Sequence, residues 1–292
     1  MQPIKYIIRK RAIGDVLWME PVIAAMAKKY KKVIVYSLYN ELFENYPLSN
    51  VIFKTKLSFF EKVFCRIEEW LGSRFFFINL QGAYENNPGV HLLSAYYKKA
   101  GLNEPLVYPE LYLSKAEKAA QLITASKYVV LHIENYGAAY NFRNIYGVNW
   151  IAVVKHLKNS GYHVVQIGKR NNEVEGVQFI ETSLRELMSV INGCSFFIGS
   201  DSAPSHFSAC LKKPAVIFFG AVNPWYRHIQ DQFKGNIMQA NCEYAHCYHI
   251  QPPYKQVCLL KTEAEREMPK CCVHTTENVK THIDLIIKKY SL

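Results

Sequence analysis

Residues 195–206 read SFFIGSDSAPSH, a short apolar run followed by small and hydroxyl residues. The run at 195–198 is almost continuously apolar, which is typical of a strand buried on both faces of a parallel sheet. Pro204 suits the first position of a helix, where its missing N–H costs no hydrogen bond. Backbone N–H groups at such a helix start bind anions. The stretch therefore predicts a strand, a ligand-binding loop and a helix, in that order.

Similar apolar runs recur along the chain and are separated by amphipathic segments. They occupy residues 6–8, 33–36, 75–78, 128–131, 163–167 and 215–219. One intervening segment begins with a capping box, Ser183 with Glu186, and then carries apolar residues spaced three and four apart. Alternating strands and helices predict an α/β protein built on doubly wound parallel sheets.

The chain is long enough for two domains, since its 292 residues exceed one typical domain. The strand pattern pauses between residues 85 and 127. We place an N-terminal domain at 1–126 and a C-terminal domain at 127–272, which includes a cysteine-rich segment at 242–272. Residues 273–292 predict a terminal helix whose acidic start and basic end complement the helix dipole.

The composition narrows the classes of partner. The net charge of +11 favours anionic partners: phosphorylated substrates, nucleic acid or an acidic membrane surface. No run of roughly 18 apolar residues is present, so the sequence predicts no membrane-spanning helix. The first residues lack the apolar run and cleavage site of a secretion signal, and we therefore expect a cytoplasmic protein.

The loop after the first apolar run carries three bases, a glycine and an acid: Arg9, Lys10, Arg11, Gly14 and Asp15. Ligands of open parallel sheets bind beyond the carboxyl ends of the strands, where this loop is expected. A helix N-terminus favours ionised Asp15 by about 0.3–1 kcal/mol, and the ionised form is the one a general base needs. The alternative, that Asp15 caps a helix beside solvated bases, stays open.

The loop at 199–206 has a similar pair of interpretations. Asp201 can accept hydrogen bonds from hydroxyl groups, and His206 lies about one helical turn further along. Alternatively, the loop is an ordinary helix start with a histidine in the core. The chain has no G-x-G-x-x-G, G-x-x-x-x-G-K-[ST], G-x-S-x-G or H-E-x-x-H motif. Dinucleotide-fingerprint, Walker-type and α/β-hydrolase sites are therefore unsupported.

Together these two loops resemble the signature sequences of glycosyltransferase family nine, the lipopolysaccharide heptosyltransferases. Residues 7–17 with Pro21 are similar to that family's opening strand, I-G-D-V-L loop and helix. Residues 198–206 are similar to its G-[NS]-D-[ST]-[GA]-P-x-H signature, and the similarity continues through 219–224. The resemblance implies a GT-B fold: two Rossmann-like doubly wound domains facing a central cleft, with the terminal helix packed back on the N-terminal domain.

The resemblance also implies an activity and its residues. A sugar, heptose or similar, would pass with inversion from a nucleotide-sugar such as ADP-heptose to a phosphorylated glycan or lipopolysaccharide core, with no cofactor required. Asp15 would be the general base. Residues expected near the acceptor phosphate are Arg9, Arg11 and Gly14. Residues expected at the donor are Asp201, Ser202, Ala203, His206, Arg143 and Asn135.

The cysteine-rich segment leaves two interpretations open. Five cysteines lie within it, at positions 242, 247, 258, 271 and 272. Four thiolates would suit a structural zinc or iron ion. No pair has the two-residue spacing of zinc fingers, however, so free thiols in a compact loop are the favoured interpretation.

Other functions also remain open. A glycosyltransferase that modifies a protein or nucleic acid would fit the positive charge, and a non-catalytic module that binds sugar nucleotides would fit the fold. Aromatic residues alternate with lysine and arginine at 53–66 and 70–77. Such a surface suits a nucleic-acid groove, but it suits an amphipathic glycolipid acceptor and the inner membrane face at least as well. We therefore favour a glycan or glycolipid partner over nucleic acid.

Overall fold

The computed structural model describes residues 2–73, 75–134, 136, 138–251 and 257–292. The chain forms two compact units, Met1–Ser114 and Lys115–Leu292. Each unit is built on its own parallel sheet, as the alternation of strands and helices predicts.

The first unit contains a four-stranded sheet of order β3-β2-β1-β4. Its strands are β1 (Gln2–Ile8), β2 (Tyr30–Tyr36), β3 (Val51–Lys54) and β4 (Phe77–Asn79). Its helices are α1 (Ile13–Leu17), α2 (Glu20–Lys29), α3 (Phe59–Trp70) and α4 (Leu92–Ala100). Pro21 lies in the first turn of α2, where a proline needs no N–H partner.

The second unit contains a six-stranded sheet of order β10-β9-β8-β5-β6-β7. Its strands are β5 (Tyr128–His132), β6 (His163–Gln166), β7 (Gln178–Phe179), β8 (Phe196–Ser200), β9 (Ala215–Phe218) and β10 (Gly235–Met238). Its helices are α5 (Lys115–Ala119), α6 (Trp150–Asn159), α7 (Leu184–Gly193), α8 (Ala203–Cys210), α9 (Glu263–Glu267) and α10 (Thr276–Tyr290).

The central strands of this second sheet are buried along their whole length. All residues of β5 and β8 are buried, which explains the continuous apolar runs of the sequence. Helix α7 begins with the predicted capping box, in which Ser183 and Glu186 bond each other's backbone N–H groups. Helix α8 has Pro204 in its first turn. The strand, loop and helix predicted from 195–206 are all present.

The division between the units falls before Lys115 rather than at residue 126. The reason is the short helix α5, which contacts α7 of the second unit. Arg185 of α7 binds the Glu117 carboxylate with two donors, Nε at 2.7 Å and an Nη at 2.8 Å. This two-bond ion pair fixes α5 to the second unit ahead of the first strand of that unit.

The terminal helix α10 buries its apolar side in the second unit. Val279, Ile283 and Ile286 are fully buried there, and the helix contacts α6, β9 and β10. The further expectation, that this helix packs on the N-terminal domain, stays a prediction. No helix among the described residues is long and apolar enough to cross a bilayer.

His274, next to α10, gives the second unit a stability that depends on pH. Its ring is buried edge-on against Phe218, with ring centres 5.1 Å apart. Burial, together with the nearby His282, lowers the pKa of His274 from 6.5 to about 4. Since the folded state disfavours the protonated ring, its contribution to stability is complete above pH 6.5 and is lost as the pH falls towards 4.

We expect His274→Phe to keep the ring packing and to weaken the pH dependence of unfolding between pH 6.5 and 4. The measurement is the urea midpoint of both proteins across this range, with pH 7.5 as the reference. Parallel pH curves for the two proteins would show that His274 does not titrate in this way.

Candidate functional site

The order of strands places one site in the second sheet. From β5 the chain moves outward to β6 and β7, and then returns to β8 on the opposite side of β5. Ligands of doubly wound sheets bind in the crevice at such a reversal, beyond the carboxyl ends of the strands. His132 ends β5 and Ser200 ends β8, so the loop at 199–206 lies at this crevice.

Hydrogen bonds join the ends of these two strands. The Ser202 hydroxyl lies 3.2 Å from Nδ1 of His132 and donates to the Ser200 carbonyl at 3.0 Å. Nε2 of His132 lies 3.6 Å from the Glu134 carboxylate. The neighbouring His132 ring lowers the pKa of Glu134, and the charge of Lys169 adds to this effect although burial opposes it. The result is a connected polar group from Ser202 to Glu134.

The close approach of β5 and β8 depends on Gly199. A Cβ atom there would lie 2.7 Å from the His132 carbonyl oxygen, which is shorter than any tolerable contact. Any larger residue would therefore force the His132 backbone and the Phe197 ring to shift.

A buried carboxylate lies beside this group. Asp201 is only 3% exposed, and its Oδ1 lies 3.9 Å from Nε2 of His206. Its Oδ2 lies 4.0 Å from an Nη of Arg143. Oδ2 of Asp201 and Nε of Arg143 are both buried without a hydrogen-bond partner among the described residues. Since buried polar atoms are nearly always satisfied, this acceptor and donor are available to a bound hydroxyl or phosphate group.

The first sheet has its own reversal. The chain runs from β1 to β2 and β3, and then returns to β4 on the other side of β1. Arg9 follows β1 and is 5% exposed. Its guanidinium binds the Asp15 carboxylate, Glu85 Oε1 at 2.7 Å and the Leu80 carbonyl at 3.4 Å. The predicted loop with Asp15 thus meets residues that follow β4.

The surroundings of Arg9 differ from those of an arginine whose side chain is free to bind phosphate. Burial acts to lower its pKa, but Tyr96 and the carboxylates of Asp15 and Glu85 outweigh burial and raise the pKa. One Nη of Arg9 binds both carboxylates and so holds Asp15, while its Nε is buried without a hydrogen-bond partner among the described residues. Arg11 is exposed and Gly14 is half-buried at the same loop, and the phosphate contact predicted for Arg9, Arg11 and Gly14 stays a prediction.

The positive charge beside Asp15 also has a different source from the helix dipole that the sequence suggests. Helix α1 has only five residues, and Ala12 at its start provides no side-chain cap. The helix dipole is correspondingly short. The guanidinium of Arg9 supplies a full positive charge instead.

The structure gathers the predicted residues at two places. Those at the second sheet are Arg143, Asp201, Ser202, Ala203 and His206, and those at the first sheet are Arg9, Arg11, Gly14 and Asp15. Asn135 lies outside the described residues. Sequence reasoning missed His132, Glu134 and Glu85. Their signal was their position after strands that border a reversal: His132 ends β5, Glu134 follows two residues later, and Glu85 lies in the loop that follows β4.

Four cysteines of the cysteine-rich segment line one small apolar cavity, with Phe142, Leu260 and Pro269. The cysteines are Cys242, Cys247, Cys258 and Cys271. Burial first, and then the neighbouring thiols, raises the pKa of Cys247 to about 11. Within the described residues, no three His, Cys, Asp or Glu side chains are placed to hold one metal ion. The described geometry therefore does not fit a zinc or iron ion, and the metal interpretation is unsupported.

Comparison with known proteins identifies the family. The family model described as "Glycosyltransferase family 9 (heptosyltransferase)" matches residues 87–257 of the chain. A shorter stretch is 38% identical over 61 residues to lipopolysaccharide heptosyltransferase 3 of Escherichia coli K12, covering 19% of this chain and 18% of that protein. The chain belongs to glycosyltransferase family 9, and the family predicted from the two loops is confirmed.

Solved structures give the fold. The iron-containing dodecameric glycosyltransferase TibC from enterotoxigenic E. coli H10407 is 18% identical, with a TM-score of 0.74 over 99% of this chain and 77% of that chain. E. coli ADP-heptose lipopolysaccharide heptosyltransferase II is 13% identical, with a TM-score of 0.66 over 100% of both chains. E. coli heptosyltransferase WaaC, solved with ADP-2-deoxy-2-fluoro heptose, is 15% identical, with a TM-score of 0.60 over 97% and 99%. These likenesses confirm the α/β GT-B class.

We expect Arg9→Met to destabilise the protein by about 1–3 kcal/mol, because Asp15 and Glu85 would face each other without a cation. Adding Glu85→Gln should restore part of that loss by removing one of the two charges. The measurement is the free energy of unfolding in urea, with the exposed Arg11→Met as the matched control. Equal effects of Arg9→Met and Arg11→Met would contradict a structural ion pair at Arg9.

Proposed function

We propose that the chain is an inverting glycosyltransferase that moves heptose or a similar sugar from an ADP-linked donor to a phosphorylated glycan. The observation that carries the proposal is the pair of unsatisfied groups, Asp201 Oδ2 and Arg143 Nε, at the strand reversal of the second sheet. Membership of family 9 supports the reaction class. TibC and WaaC, which have been solved with ADP-heptose and ADP-2-deoxy-2-fluoro heptose, support the donor class.

The donor site is assigned to the second unit. Arg143 and the N-terminal N–H groups of α8 would stabilise the charge that develops on the leaving diphosphate. Asp201 would accept a hydrogen bond from a donor hydroxyl, and His132 would keep the Ser202 hydroxyl oriented. The chain carries no D-x-D motif. In this proposal the cationic side chain and the helix start stabilise the leaving group, and no metal is required.

The general base is assigned to Asp15. Its side chain is 29% exposed, so an acceptor hydroxyl can reach it, while the guanidinium of Arg9 holds one carboxylate oxygen. In the transfer step, the acceptor oxygen loses its proton to Asp15 and attacks the anomeric carbon as the bond to the diphosphate breaks. The acceptor we propose is a phosphorylated glycan or glycolipid core. Its phosphate would approach past Arg11, which is exposed beside this loop.

We expect Asp15→Asn to lower kcat by about 10²–10⁴-fold, because the isosteric amide cannot take the proton. Donor affinity should stay unchanged. Glu85→Gln is the matched control, since it removes the other carboxylate bound to Arg9 and should leave most activity. Turnover of Asp15→Asn within threefold of the parent protein would reject Asp15 as the base. A large loss in Glu85→Gln with an active Asp15→Asn would assign the role to Glu85.

We expect Asp201→Asn and Arg143→Gln each to weaken donor binding by about 10–100-fold, which corresponds to one charge-assisted hydrogen bond. Calorimetric titration with ADP-heptose, and with GDP- and UDP-sugars for comparison, measures the effect. Lys280→Gln, which removes a surface cation on α10, is the control and should bind like the parent protein. Unchanged affinity in both site variants would place the donor elsewhere. Binding without any transfer to glycan acceptors would favour the non-catalytic module.

A further inference from the structure

Helix α3 exposes an unusually apolar side. Phe59 and Phe60 are each 73% exposed, and Trp70 is 85% exposed. The exposure continues into the segment after the helix. We call this surface the aromatic patch; its members are Phe59, Phe60, Phe64, Ile67, Trp70, Leu71 and Phe75. Seven exposed large apolar side chains on one helix and the segment that follows it mark an interaction site.

The opposite side of α3 anchors the helix to its own sheet. Cys65 is buried beside Phe77 of β4. The carboxylate of Glu68 is buried and accepts hydrogen bonds from the backbone N–H groups of Phe76 at 2.8 Å and Phe77 at 2.6 Å. The patch is therefore the outward side of a helix whose inward side is already engaged.

The charges around the patch are arranged unequally. Glu61 accepts from the Ser58 backbone N–H and pairs with Lys54 at 3.1 Å, and Glu69 pairs with Asn79. Glu61 thus has a cationic partner, whereas the buried Glu68 and the exposed Glu69 are bound by neutral N–H groups of the first unit. Lys56, Lys62 and Arg66 are exposed, and none of them forms an ion pair among the described contacts. The border of the aromatic patch accordingly carries these three unpaired cations against one exposed carboxylate, that of Glu69.

We propose that the aromatic patch is a docking surface for an anionic phospholipid membrane, with α3 lying in the plane of the interface. Phenylalanine and tryptophan side chains insert at the boundary between headgroups and acyl chains, and flanking cations bind anionic headgroups. A second copy of the chain fits less well, because a two-fold contact through this surface would bring its cations together. Nucleic acid also fits less well, since Ile67 and Leu71 offer no ring for base stacking.

This surface goes beyond the transferase proposal and does not depend on it. Vesicle binding needs neither donor nor acceptor, so it succeeds or fails independently of the activity of Asp15. If both proposals hold, the membrane would bring a lipid-linked acceptor and the enzyme to the same surface.

The test uses the full chain with vesicles of phosphatidylcholine alone and of equal parts phosphatidylcholine and phosphatidylglycerol. We expect co-sedimentation with the anionic vesicles only, weakened by high salt. Brominated lipids should quench tryptophan fluorescence, and Trp70→Phe should remove most of that quenching because Trp70 is the most exposed ring of the patch.

Two variants separate the contributions of the patch. Phe60→Ser with Phe64→Ser and Trp70→Ser should weaken vesicle binding at least tenfold, as should Lys62→Glu with Arg66→Glu. The control is Ile151→Ser with Leu285→Ser, which removes exposed apolar residues of α6 and α10 and should bind like the parent protein. Circular dichroism melting checks that each variant is folded.

Three results would overturn the proposal. They are the absence of binding to anionic vesicles, equal binding by the triple patch variant and the parent protein, and equal binding to both vesicle types. Light scattering measures whether the protein forms a dimer, which tests the alternative that a second copy of the chain binds the aromatic patch. A dimer that the triple patch variant abolishes, without vesicle binding by the parent protein, would assign the aromatic patch to self-association.

Discussion

The reversal of strand order beside β1 and beside β5 is the constraint on which both candidate sites depend. In a parallel sheet the connections between strands cross above or below the sheet. A crevice opens at the carboxyl edge only where two neighbouring loops run in opposite directions. Arg9 and Glu85 meet at one reversal, and His132 and Ser202 meet at the other. In each case, residues far apart in sequence become neighbours because the two strands that precede them pair.

Each reversal is stabilised in a different way. In the first unit a buried cation joins two acidic side chains, so that the carboxylate of Asp15 is held while part of it stays accessible. In the second unit the closest groups are neutral or weakly basic, and the charged pair of Asp201 and Arg143 stands at 4.0 Å without a direct hydrogen bond. Both arrangements retain unused hydrogen-bonding capacity among the described residues, at Arg9 Nε and Glu85 Oε2 in the first unit and at Asp201 Oδ2 and Arg143 Nε in the second.

The sequence predicted the fold class well because period and capping act over a few residues. The runs at 128–131, 163–167 and 215–219, and the capping box at Ser183, all correspond to elements of the structure. The division before Lys115 is not visible in the sequence, because the attachment of α5 depends on an ion pair between residues 68 positions apart. Glu85 was missed for the same reason, since its partner Arg9 lies 76 positions away in the chain. Arg9 was predicted at the correct loop, but its two carboxylate partners could not be known from the loop alone.

The burial of α10 in the second unit has a consequence for the order in which the chain becomes structured during synthesis. The first unit is encoded entirely within residues 1–114, so it can form its sheet while translation continues. The second unit cannot cover β9 and β10 until residues 276–290 have emerged, because Val279, Ile283 and Ile286 belong to its core. For the interval between these events, the apolar side of the larger sheet is open. The nascent chain is therefore most exposed to aggregation, and most dependent on chaperones, just before this helix is released from the ribosome.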